Sequence, residues 1–232
     1  MAEITRTKPV LSDEEKEEGL SEFRSNRVTK EVDLPVKGGW ARRQRPRSAN
    51  ANQLGKDDRL DVPGDGEEVL IKFLDDEPFA SYFVHWIMTD NGRRPYTCAG
   101  FDTCPLCARG DRAKSQDMLN VITISADEPK LVVWQASADP AEAIEDMANG
   151  KRTSPINKPG LYFAVSKKKG SNGFFSYTLL PVKDSDLEEE WGAKPLSEQQ
   201  IADFNKKKYD SSVVRVHTVS ELQEASRHLD TD

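Results

Sequence analysis

The sequence predicts a mainly β fold of the α+β class, a small curved barrel with one inserted subdomain and appended helices. Three observations predict it. Short runs rich in aromatic and β-branched residues recur from residue 68 onward, separated by turn signals. One helix signal interrupts the later strands. All three cysteines crowd into residues 98–107, inside the strand-rich region.

The elements follow in order. Ser12-Asp13-Glu14-Glu15 has capping-box spacing and opens a charged helix to Arg24, with Leu20 and Phe23 as a narrow apolar stripe. Residues 36–66 read as an extended arm punctuated by Gly and Pro. Residues 69–74 (VLIKFL) and 81–88 (SYFVHWIM) read as strands, and Asp90-Asn91-Gly92 turns the latter into a short segment at 94–97. Residues 118–125 (MLNVITIS) and 130–135 (KLVVWQ) are two more strands. Asp139-Pro140 supplies an N-cap with proline at the first helical position, and that helix ends at Asn149-Gly150. Residues 160–166 and 174–183 form a hairpin whose loop is 167–173 (KKKGSNG). Helices follow over 197–208 and 219–229, the second with Thr218 and Glu221 at capping-box spacing.

A helix between the third and fourth strands of a highly curved sheet is the order of an OB-fold. The chain then divides into an N-terminal helix and basic arm (1–66), an OB-like core (67–183) and an acidic, helical C-terminal segment (184–232). The hydrophobic fraction is 36% and the charged fraction 31%, which fits one core flanked by polar segments. No apolar run is long enough to span a bilayer, and the N-terminus lacks the apolar stretch of a secretory signal. The expected compartment is the cytoplasm, where thiols stay reduced.

In such a setting, closely grouped cysteines point to metal ligation. The spacing is His85-x12-Cys98-x5-Cys104-x2-Cys107. Zinc favours four tetrahedral thiolate and imidazole ligands, and Cys-x-x-Cys places two sulfurs on one ion. Cys104-Pro105-Leu106-Cys107 followed by Ala-Arg-Gly is a knuckle of that kind, and its subdomain spans residues 85–112. The alternative is a core thiol at Cys98 and a satisfied strand histidine at His85. Four protein ligands would complete the shell, leaving no open position for catalysis. A zinc deaminase needs H-x-E and P-C-x-x-C, whereas Ile87 stands two after His85 and Thr103 precedes Cys104. Phosphate-binding, nucleophile-elbow and metalloprotease motifs are missing too, so no enzyme is expected.

The net charge of −7 is segregated. Residues 37–59 hold Lys37, Arg42, Arg43, Arg45, Arg47, Lys56 and Arg59 against Asp57 and Asp58, enough to seat a polyanion locally. Single strands are held by cations on the backbone and rings under the bases. The sequence interleaves both. Trp40 adjoins Arg42, Arg43 and Arg45; Tyr82, Trp86 and Tyr96 lie among Arg93, Arg94, Arg109 and Arg112; Tyr162 and Tyr177 flank Lys167, Lys168 and Lys169. Strand alternation assigns Phe73, Phe83, Phe163 and Trp134 to the core and Tyr82, Trp86, Tyr96, Tyr162 and Tyr177 to stacking. The alternatives are core rings and a solvated hairpin tip.

The histidine–cysteine pattern within this aromatic, arginine-rich stretch resembles the zinc subdomain of bacteriophage single-stranded-DNA-binding proteins of the T-even helix-destabilising type. That resemblance implies a zinc-bearing OB-fold core, a basic arm for cooperative self-association on DNA, and an acidic C-terminal segment recruiting replication proteins. It implies a protein that coats exposed single strands during phage replication, recombination or repair. The competing expectation is a zinc-stapled interaction factor docking on a replication or transcription protein.

Overall fold

The computed structural model describes residues 54–125, 128–171 and 173–230. The helix expected at 12–24 and the arm with Trp40, Arg42, Arg43 and Arg45 lie outside the described residues. After a short 3-10 turn at Lys56–Asp58 come β1 (Asp65–Phe73), β2 (Ala80–Thr89) and β3 (Gly92–Thr97). A single helical turn, α1 (Pro105–Ala108), leads to β4 (Lys114–Ile124) and β5 (Lys130–Ala136). Then follow α2 (Ala138–Asn149), the hairpin β6 (Leu161–Lys169) and β7 (Phe175–Lys183), α3 (Asp184–Trp191), α4 (Glu198–Asn205) and α5 (Val219–Ser226). No helix among the described residues is long and apolar enough to cross a membrane.

The strands form one seven-stranded sheet in the order β3-β2-β4-β1-β6-β7, with β5 beside β4. Every pairing between named strands is antiparallel. Strand β4 is the hub. Its first residues, Lys114–Met118, pair with β2, its last, Val121–Ile124, pair with β1, and β5 takes the opposite edge along Asp117–Thr123.

The sheet does not close into a barrel, which corrects the expected architecture. Closure would need β5 to pair with β7, and among the described residues no such pairing exists. Helix α2 packs on both of those strands and on β4. The Trp134 and Tyr177 rings face each other from β5 and β7 with centroids 6.3 Å apart. Side chains rather than backbone hydrogen bonds fill that seam. The main core lies here: Phe73, Phe163, Trp134, Leu119 and Val121 pack with Ile144 of α2. Phe73 meets Phe163 edge-on at 5.2 Å, within the range of a favourable aromatic pair.

The opposite face of β1 and β6 is also covered. Leu70, Ile122, Tyr162 and Val182 pack under Leu187 and Trp191 of α3 and Ile201 and Phe204 of α4. Helix α3 carried no expected signal, and it is what buries Tyr162, assigned to stacking, to 1% exposure. The Tyr162 hydroxyl accepts the Leu196 N–H at 2.9 Å, so it is a core ring with a satisfied polar end. Lys72 is buried too, its Nζ donating to the carbonyls of Lys158 (2.9 Å) and Leu161 (3.2 Å). Those bonds compensate a cation that burial pushes below the usual lysine range.

A last correction concerns the lysine run. Lys167, Lys168 and Lys169 continue β6 and pair with Tyr177, Ser176 and Phe175. They stand on a strand instead of in a loop. The Lys167 ammonium lies 5.0 Å from the Phe175 ring centroid, a cation–π contact that rewards the extension.

Candidate functional site

Strand β2 serves two sites at once because alternate side chains leave opposite faces. His85 and Ile87 point to one side, where Ile87 packs with Cys98, Cys104 and Leu106. Tyr82, Val84 and Trp86 point to the other, packing with Met118, Val133 and Val214.

On the first side, His85, Cys98, Cys104 and Cys107 come together, their donor atoms all within 4.8 Å of one another. The Cys104 and Cys107 sulfurs each lie 3.4 Å from His85 Nε2, and Cys98 Sγ lies 3.6 Å from Cys107 Sγ. All three are free thiols. His85, Cys98 and Cys104 are buried and Cys107 is half-buried. This group could hold a metal ion.

Local chain geometry builds it. Gly100 (φ +109°) and Gly110 (φ +86°) occupy backbone conformations that disfavour any side chain. Gly100 O accepts the N–H groups of Thr103 and Cys104, which starts the knuckle. Gly110 and Asp111 return their N–H groups to Cys107 O and Leu106 O, which ends it. Burial raises the Cys104 thiol, but hydrogen bonds with the backbone of Cys107, Ala99 and Leu106 outweigh it and favour the thiolate. Burial and the neighbouring sulfurs push Cys107 well above the usual thiol range, and burial raises the Cys98 thiol. Three crowded thiols therefore resist losing all their protons unless a cation joins them.

Asp111 completes the arrangement and was not legible in the sequence. Its Oδ2 lies 2.6 Å from His85 Nδ1. A proton on Nδ1 leaves Nε2 as a lone pair aimed at the sulfurs, the tautomer a metal-binding histidine requires. A carboxylate after a Cys-x-x-Cys knuckle is an ordinary surface residue until the fold sets it beneath the imidazole.

On the other side of β2 lies a groove of about 460 Å³, within the usual range for ligand sites. Arg59, Arg94 and Arg215 line it with Tyr82, Trp86, Tyr96, Gln135 and His217. Glu221 and Glu224 stand at its C-terminal wall. Arg59 donates to Gln135 Oε1 at 3.4 Å, and the Gln135 amide donates to the Tyr82 hydroxyl at 3.0 Å. Burial pushes that hydroxyl up to about 12, so it stays a neutral phenol. Trp86 carries Arg93 over its ring at 5.4 Å, across the hairpin.

Of the residues assigned to nucleic acid, Tyr82, Trp86, Arg94 and Tyr96 line the groove and Arg93 covers one of its rings. Tyr82 is only 5% exposed and its hydroxyl is held by Gln135, so it is a core ring rather than a stacking platform. Arg109 and Arg112 are exposed on the knuckle side and do not line the groove. Tyr177 joins the main core's rim, and Lys167, Lys168 and Lys169 lie at the far hairpin. Phe83, expected in the core, is half-buried and meets the 61% exposed Phe101 edge-on. Arg215 and His217 were missed. The helix behind them was readable from Thr218 and Glu221, but no local signal says that it folds back onto Thr97.

No family model, curated protein or solved structure matches this chain.

Proposed function

We propose that this chain binds single-stranded DNA without catalysis, and that His85, Cys98, Cys104 and Cys107 hold one structural zinc. The observation that carries the strand-binding reading is the groove itself: three arginines and the half-buried rings of Trp86 and Tyr96 in one concave surface. Cations there neutralise phosphates, and rings stack with any base, which gives binding tolerant of sequence.

For zinc the argument is metric. Bond lengths of about 2.3 Å to sulfur and 2.0–2.1 Å to nitrogen at a tetrahedral angle put sulfurs roughly 3.8 Å apart and sulfur roughly 3.6 Å from nitrogen. The distances here are 3.6 Å and 3.4 Å. A donor set of one histidine and three cysteines suits that ion, and four protein ligands make the role structural. The strand order, with α2 between β5 and β6, supports an open variant of the OB-fold in which α2 occupies the closing seam. Coating of exposed strands in replication, recombination or repair is the role that follows from sequence-tolerant binding.

A titration of full-length, metal-loaded protein with labelled single-stranded and duplex oligonucleotides tests the reading. Tighter binding to the single strand, falling with salt on a log–log slope of about −0.7 per phosphate contacted, is expected. Equal or weaker binding to the single strand rejects it and leaves a zinc-stapled interaction factor as the better account.

A further inference from the structure

The residues after Tyr209 pass from the groove face of the sheet around the free edge of β3 to the metal-ligand face. Val214 is buried with Tyr82 and Val84 on the groove side. Thr97 Oγ1 then donates to Arg215 O at 2.5 Å, and the Thr97 N–H donates to His217 Nδ1 at 3.0 Å. Beyond the turn, Leu222 and Ala225 of α5 pack with Cys98, Cys104 and Leu106.

We propose that residues 213–228 form a wall of the strand-binding groove, with Arg215 taking a backbone phosphate and His217 facing a base. This rests on the strand-binding reading above and assigns a separate contact to each of two residues that line the groove. It gives the C-terminal segment a role at the groove beside the expected recruitment of replication proteins.

Arg215 is built for exchange. It is exposed, and its guanidinium lies 2.9 Å from Glu221 Oε1. The other carboxylate oxygen, Oε2, accepts the Thr218 N–H (2.7 Å) and hydroxyl (3.0 Å) that cap α5. A phosphate can therefore take over the guanidinium while Glu221 keeps its cap. Only an exposed ion pair is given up, worth little in water, and a planar guanidinium binds phosphate through paired hydrogen bonds. With Nδ1 accepting from Thr97, the neutral His217 ring keeps its proton on Nε2, one donor for a base edge. Its ring, only 6% exposed, lies 5.0 Å from that of Tyr96 and backs it. Because α5 sits on the metal-ligand cluster, the same wall would be released when that cluster empties.

The test uses full-length, metal-loaded variants and a labelled mixed-sequence single-stranded oligonucleotide. Arg215→Ala should weaken binding about 5–10-fold and make the log–log salt slope shallower by about 0.7, one phosphate contact. Arg215→Lys should keep the slope and recover part of the affinity. Glu221→Gln retains a capping oxygen and removes the competing charge, so it should tighten binding at low salt. A residue that only supported the fold would weaken binding in both Arg215→Ala and Glu221→Gln and leave the slope alone. The proposal is overturned if Arg215→Ala keeps the wild-type slope, or if Glu221→Gln weakens binding, while wild type binds. Absence of single-strand binding by wild type instead removes the strand-binding reading itself.

Discussion

His85 and Trp86 are neighbours in β2, yet they belong to two regions assembled by opposite means. The metal-ligand group draws its donors from residues 85–107, and one hairpin and one helical turn place them. The groove behind it draws Arg59, Trp86, Gln135, Arg215 and His217 from almost the whole described chain. The first is a local solution, in which glycines at 100 and 110 and a short knuckle fix the distances. The second exists only after β4 has gathered β1, β2 and β5 and the C-terminal residues have wrapped the β3 edge. The two regions share a strand and the C-terminal wall, so disturbing the local one should propagate to the distributed one more than the reverse.

The largest effect tests that asymmetry. Cys104→Ser removes one donor from the buried group. Metal binding in small metal domains is worth on the order of 10–16 kcal/mol at neutral pH, comparable to a domain's net stability. The variant should lose its metal, measured as zinc per chain by elemental analysis, together with hydrogen-exchange protection through β3, α1 and α5. Single-strand affinity should fall with it. A variant that kept one zinc per chain at wild-type affinity would mean that Cys104 is not one of its ligands.

Asp111→Asn should act more mildly. The amide preserves volume but no longer holds the His85 tautomer as a carboxylate does. Partners of this kind change metal affinity by roughly 10–100-fold. Competition with a chromophoric chelator measures it directly, and unchanged affinity would reduce Asp111 to a bystander.

The contrast between the regions also explains what the sequence disclosed. Cys104-x2-Cys107 with His85 and Cys98 was readable because all four donors of the group fall within one short stretch of the sequence. Most strands were readable too, since runs such as residues 81–88 are rich in aromatic and β-branched residues. Alternation failed for Tyr162 because the face it assigned to solvent is covered by α3 and α4, twenty to forty residues onward. It failed for closure because a pattern within strands says nothing about which edges meet, and α2 with Trp134 and Tyr177 fills the seam. Arg215 and His217 were illegible for the same reason as Asp111: each takes its role from a partner distant in sequence.

Trp86→Ala sharpens the comparison from the groove side. Loss of one stacking ring costs about 1–3 kcal/mol, roughly 5–150-fold in single-strand affinity. Metal content should stay at the wild-type level, since Trp86 faces away from the sulfurs. The triple change Lys167→Gln, Lys168→Gln and Lys169→Gln should cost less than Trp86→Ala, because the lysines pair with β7 and none lines the groove. If the lysine variant loses more affinity, the strand runs along the β6–β7 hairpin instead.

The smallest expected effect is a pH dependence at the junction of the two regions. Burial lowers the His217 pKa, the Arg215 charge lowers it further, and Glu221 opposes them. The unfolded value is 6.5. Between the lowered folded value and 6.5 the unfolded chain binds more protons, so stability rises with pH across that window. Docking of the C-terminal wall is therefore complete above pH 6.5 and weakens as pH falls below it. Protonation would also set a second N–H against the Thr97 N–H that Nδ1 now accepts. Hydrogen-exchange protection of residues 214–226, corrected for intrinsic rates, should decline from pH 7.5 to pH 5.5 in metal-saturated protein. Acid also competes for the cysteine thiolates, so part of any decline belongs to the metal-ligand group. His217→Asn separates the two: its side-chain oxygen can still accept the Thr97 N–H but does not titrate. That variant should keep only the metal-linked part of the slope, and an identical decline in both proteins would show that His217 plays no part in it.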